Sequence, residues 1–153
     1  MPAFFARIFG PHHRLFLGPH VAGEALVGTA QVCLQVGDGG LIGTLGSGAV
    51  TISAGATLEI NRGNDFGSAV GQTFSGAGTL VKTGAGVAVF KGNMSGLDNL
   101  VVFDGTVRTD NWNPWKNGLR LSVNCLGTFE LWNTAVTIGE LTGNGVIRNS
   151  ANW

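Results

Sequence analysis

From Gln31 onward the chain repeats short runs of β-formers in which apolar and polar residues alternate, separated by glycine, Asn-Gly or Asp-Gly corners. Between Phe74 and Asn93, the runs Thr79-Leu80-Val81 and Val87-Ala88-Val89-Phe90 each follow a glycine pair, Gly76/Gly78 and Gly84/Gly86. Too few residues separate them for a helix. The pattern predicts strands at 32–36, 49–53, 57–61, 79–82, 87–91, 100–103, 106–109, 119–123, 128–131, 135–138 and 146–149, with no helix after Ala30.

A recurring triplet sets the period. Ala56-Thr57-Leu58, Gly78-Thr79-Leu80, Gly105-Thr106-Val107, Gly127-Thr128-Phe129 and Gly145-Val146-Ile147 follow one another in steps of 22, 27, 22 and 18 residues. A loose period near twenty implies a solenoid, in which each turn buries its apolar face only against its neighbours. Because strand side chains alternate, Leu58, Leu80, Val107, Phe129 and Ile147 are expected to form one inward stack, and Glu59, Val81, Arg108, Glu130 and Arg148 an outward one. The plainer reading of the alternating signs at Arg108, Glu130 and Arg148 is a solvated face, since exposed pairs contribute about 0–1 kcal/mol.

Composition narrows the class. Apolar residues make up 44% of the 153, enough for a core, while charged residues are 12% against roughly 25% in an average domain. The 26 glycines show no collagen period and suit many tight corners. Nine basic and nine acidic residues leave no charge surplus for nucleic acid or anionic lipid, and no apolar run approaches the roughly 20 residues of a spanning helix. Cys33 and Cys125 would lie about four turns, or ~19 Å, apart, so they are expected to be free thiols.

Residues 1–30 differ from the rest. They hold His12, His13 and His20 and three of the four prolines, and Arg7, Pro11 and Arg14 interrupt the apolar stretch that a secretory signal would need. The expected organisation is an irregular N-terminal segment over 1–30, a cap, an artefact of gene truncation or a disordered end, and a β-solenoid over 31–153.

The segments LQVGDGGLIGTLGSGAVTISAGATLEINR (Leu34 to Arg62), FSGAGTLVKTGAGVAVFKGN (Phe74 to Asn93) and IGELTGNGVIRNSAN (Ile138 to Asn152) resemble the autotransporter-associated β-strand repeats of type V secretion passenger domains. The resemblance runs from about Gln31 to the C-terminus. It implies an all-β, right-handed parallel β-helix, displayed on the bacterial cell surface through the outer membrane by a C-terminal β-barrel translocator. No signal peptide or barrel is recognisable in this sequence, which departs from the family and reads either as a passenger fragment or as export machinery lost or never sequenced. The resemblance further implies a rigid stalk that presents loops, without enzymatic activity and without a cofactor, toward a cell-surface or matrix glycan or protein.

The three histidines lack neighbouring cysteines or carboxylates, so no metal site is expected. The glycine pairs complete neither G-x-G-x-x-G nor a P-loop. Asp104, Arg108 and Asp110 form the best acidic and basic cluster for an alternative reading as a polysaccharide lyase or hydrolase, although Asp104 before Gly105 also reads as a turn residue. Trp112 and Trp115, within the longer insertion Asn111-Trp112-Asn113-Pro114-Trp115, are the candidate sugar-stacking loop. A third reading is a carbohydrate-binding β-sandwich, which requires antiparallel pairing.

Overall fold

A computed structural model of the chain describes residues 14–17, 33–45, 48–70, 72–110, 115–132 and 134–150. Eleven strands account for the regular structure: β1 (Arg14–Leu17), β2 (Cys33–Val36), β3 (Val50–Thr51), β4 (Thr57–Asn61), β5 (Phe66–Val70), β6 (Phe74–Thr83), β7 (Val87–Phe90), β8 (Gly96–Thr109), β9 (Leu119–Leu131), β10 (Ile138–Gly143) and β11 (Val146–Asn149). Every strand pair is parallel. The fold is a parallel β-solenoid, and the antiparallel sandwich is overturned.

The register sorts the rungs into faces. On the first face a column of leucines stacks one per turn: Leu34 on Leu58, Leu58 on Leu80, Leu80 on Leu100, Leu100 on Leu121, and Leu121 on Leu141. The backbone ladder reaches further back, with Arg14–Leu17 paired in register to Cys33–Val36, so a strand lies within the segment expected to be irregular. On the second face Phe66, Ala88, Val107, Phe129 and Ile147 are successive partners. A third edge pairs Val50 with Phe74 and Met94 with Trp115.

This register corrects the single stack expected from the triplets. Val107 pairs with Ala88, not with the column of Leu80, so Leu58 and Leu80 belong to the first face and Val107, Phe129 and Ile147 to the second. The 27-residue step between Thr79 and Thr106 is one turn plus the passage from one face to the next. The two corners share the small-Thr-apolar grammar because both must bring the backbone close to the rung below. A Cβ on Gly78 would sit 2.4 Å from Ser53 O, and one on Gly105, at φ +69°, would sit 2.4 Å from Gly84 O. Strand side chains have no room there.

Four of the five expected lumen residues are buried, but Ile147 is 40% exposed, as is Leu141 on the first face at 55%, because β10 and β11 have β9 as their sole strand partner among the described residues. Inside, an edge-to-face chain of rings crosses the lumen: Phe74 to Phe90 at 5.4 Å, Phe90 to Trp115 at 6.4 Å and Trp115 to Phe129 at 5.6 Å. Such contacts add about 0.5–1.5 kcal/mol each beyond area burial. Cys33 and Cys125 stand on β2 and β9, four ladder steps apart, and are free thiols, as the spacing predicts.

Candidate functional site

The solenoid has two chemically distinct outer faces, and the sequence-predicted residues divide between them and the lumen. On the second face the outward column is Val89, Arg108, Glu130 and Arg148. Arg108 Nε donates to Glu130 Oε2 at 2.6 Å, and Arg148 approaches Glu130 Oε1 at 3.2 Å. Glu130 is only 2% exposed, so this column is a built ion-pair ladder and not merely a solvated face. Trp132 lies beside it, with the Arg108 guanidinium 5.4 Å from its ring centroid and its backbone N–H donating to Thr109 Oγ1.

The candidate catalytic trio is dispersed among separate partners. Arg108 serves Glu130, Asp110 pairs with Lys91 at 3.2 Å, and the Asp104 carboxylate accepts from the N–H of Gly105 at 2.6 Å, the turn role its sequence position implies. Asn93, which opens a formal glycosylation sequon, likewise accepts from the Ser95 N–H at its own corner.

Of the candidate sugar-stacking pair, Trp112 lies outside the described residues. Trp115 is 6% exposed and belongs to the lumen ring chain, so its ring cannot meet a ligand at the surface. A Trp in a Pro-containing insertion reads as a loop residue. Here the insertion ends at the Trp, which re-enters the third edge beside Met94. The three histidines lie outside the described residues, and among the described residues no cluster of His, Cys, Asp or Glu is arranged to hold a metal ion.

Two features escaped the sequence reading. The first is Lys82. Its register partners on either side are Ile60 and Val102, placing it in an inward, apolar column, and it is 1% exposed. The stem fills the column, while Nζ donates to the corner carbonyls of Thr83 and Gly84 and reaches that of Asp104 at 3.4 Å. Burial lowers its pKa from 10.5 to about 8, against the opposing pull of the Asp104 charge. The strand run Thr79 to Lys82 reads as ending on an outward cation; only the register reveals an inward one.

The second is an open groove of about 210 Å³ on the outside of the first face, floored by the backbone of Leu100 and Leu121. One wall is the column Thr79, Asn99, Arg120, Glu140, and the other carries Ser122 and Thr142. Asn99 is fixed by donating to the carbonyls of Ala77 and Gly78. Arg120 reaches Asn99 Oδ1 only at 3.5 Å and Glu140 at 3.8 Å, and both ends of that pair are well exposed. The chemistry on offer is hydrogen bonding by unspent donors and acceptors.

Comparison with known proteins finds no matching family model, no matching curated protein and no matching solved structure. The β-solenoid therefore stands on the register of its own strands, and functional readings rest on the residues.

Proposed function

We propose that this chain is a non-enzymatic scaffold segment of a surface-displayed passenger, a rigid rod whose corners and outer faces present binding groups. The observation that carries the reading is the dispersal of the acidic and basic groups. Arg108, Asp110 and Asp104 each have a separate structural partner, while stacked leucines run through the rungs from Leu34 to Leu141. General acid–base chemistry needs two such groups converging on one reacting atom. A parallel stack whose rungs contact only their neighbours instead makes length, which is what a stalk requires.

Export to the cell surface through an outer-membrane β-barrel follows from the resemblance of Leu34 to Arg62 and of Phe74 to Asn93 to autotransporter-associated repeats. No helix among the described residues is long and apolar enough to cross a membrane, which leaves any spanning to other means. The test has two arms. Antibody against this chain should label intact cells that express it natively, and protease added outside should remove the signal. Purified chain should release no reducing ends from a panel of polysaccharides. Label found only after lysis would overturn the display reading, and turnover abolished by Asp104→Asn or Asp110→Asn would overturn the scaffold reading.

A further inference from the structure

We infer that the groove on the first face binds a neutral, linear glycan lying along the solenoid axis; this rests on the scaffold reading and gives the scaffold a ligand class. Four observations converge on it.

The floor excludes a peptide strand. β6 is paired on this face with β4 and β8, and β9 with β8 and β10, so the backbone N–H and C=O groups under the groove are spent in the ladders. Strand addition needs an open edge; the floor strands β8 and β9 offer none, and the outer edge of β10 lies at the groove's end, not along its floor. Recognition there falls to side chains.

The walls have the spacing of a single extended chain. The two columns are two residues apart along each strand, about 7 Å, and repeat every rung at about 4.8 Å. A polymer running along the axis therefore meets one polar side chain of the first wall at each rung, Thr79, Asn99, Arg120 and Glu140 in turn. Val101, on the second wall beside Ser122, supplies an apolar contact for the C–H face of a sugar ring.

The groups themselves are matched to hydroxyls. Arg120 offers donors that its long contacts to Asn99 and Glu140 leave unspent, and Glu140 offers acceptors. The Thr79, Ser122 and Thr142 hydroxyls carry no side-chain hydrogen bond to the described protein. A ligand group that both donates and accepts satisfies all of these, and a hydroxyl is that group.

Charge selects against the alternatives. Arg120 and Glu140 lie 3.8 Å apart and offset each other, so the groove has no surplus charge to attract a polyanion or a polycation. A neutral polyol needs no such surplus.

The experiment titrates the ¹⁵N-labelled chain with neutral linear hexasaccharides of β-1,4-linked glucose, xylose, mannose and N-acetylglucosamine, with hexagalacturonate and a chitosan hexamer as charged controls. Amide shifts are expected at Asn99, Arg120, Ser122 and Thr142 with at least one neutral hexamer. Arg120→Ala should weaken binding at least tenfold, and Ser122→Val should weaken it less. Arg108→Ala, on the other face, should leave affinity unchanged. Both groove variants replace side chains outside the lumen, so an unchanged amide spectrum elsewhere verifies folding. The proposal is overturned if no neutral hexamer shifts these amides at millimolar concentration, if Arg120→Ala binds as well as the parent, or if a charged hexamer binds more tightly. Loss of the groove would leave the rod standing, whereas cleavage of a bound hexamer would overturn the scaffold and leave the groove.

Discussion

Arg108 and Glu130 meet at 2.6 Å across adjacent rungs, and the carboxylate they share with Arg148 is almost wholly buried. Burial alone raises the pKa of Glu130, but the hydrogen bonds from Ser150 and Arg108 and the charges of Arg108 and Arg148 outweigh it, leaving the pKa below 4.5. The stabilisation is therefore fully present above pH 4.5 and is lost as pH falls through the depressed value. Glu130→Gln should cost about 1–3 kcal/mol at pH 7, below the usual figure for a broken buried pair because both arginines remain partly solvated. Urea melts of both proteins should converge as pH falls below 4.5. A gap that stays constant into acid would show that Glu130 acts by shape and not by charge.

Trp115 carries a buried indole N–H with no hydrogen-bond partner among the described residues, while its ring touches Phe90 and Phe129 edge-on. Removing the ring should cost about 3–5 kcal/mol in Trp115→Ala. In Trp115→Phe the loss of packing is offset by removal of an unsatisfied donor, itself worth about 1–3 kcal/mol, so that variant should stay within about 1 kcal/mol of the parent. Chemical denaturation measures both. Equal damage from the two substitutions would mean that the indole nitrogen has a partner of its own.

The repeat and most strand centres are legible in the sequence because alternation and glycine corners are local signals; the parallel class is what the resemblance implies. Thr57–Asn61 and Val146–Asn149 match their predicted bounds. Phe66–Val70 and most of Ile138–Gly143 were missed, since FGSAV and IGELTG mix glycine and polar residues into strands whose order comes from their neighbours. Which face a triplet belongs to is not local at all: Gly78-Thr79-Leu80 and Gly105-Thr106-Val107 look alike, and only the stacking partner tells them apart. The same blindness hid Lys82 in the lumen and the groove between two columns, both of which are properties of rungs side by side. Trp115 misled because an insertion's composition says nothing of where its last residue lands.

Close stacking at the corners can be tested apart from the core. Gly86 has no positive φ, yet a Cβ there would lie 1.9 Å from the carbonyl oxygen of Asn64 in the rung below. Gly118 has φ +83° but nothing within 4 Å of the added atom. Gly118→Ala should therefore cost about 1–2 kcal/mol of left-handed backbone strain, whereas Gly86→Ala must force two rungs apart and should cost clearly more. Thermal melts rank the pair, and Gly118→Ala being the worse would mean that the rungs are not stacked as closely as the register requires.

Lys82 provides a pH signature of the register itself. Its ammonium is held at about 8 by burial, against 10.5 for an ordinary lysine, so between those values the unfolded chain binds more protons than the folded one. Folding stability must then rise with pH across that window, by an amount on the order of 3 kcal/mol if the whole gap is realised. The chain has no tyrosine, and comparison with a variant that lacks only the Lys82 amine cancels the contributions of every other group. Lys82→Met keeps the length of the stem in the column of Ile60 and Val102 but gives up the donors to Thr83, Gly84 and Asp104. Its stability should therefore differ from the parent at pH 7 and lack the rise. Denaturant midpoints taken from pH 7 to 10.5, with both proteins carrying Cys33→Ser and Cys125→Ser so that no thiol ionises within the window, decide the matter. Parallel pH profiles for parent and variant would place Lys82 outside the lumen and overturn the alignment of β6 between β4 and β8.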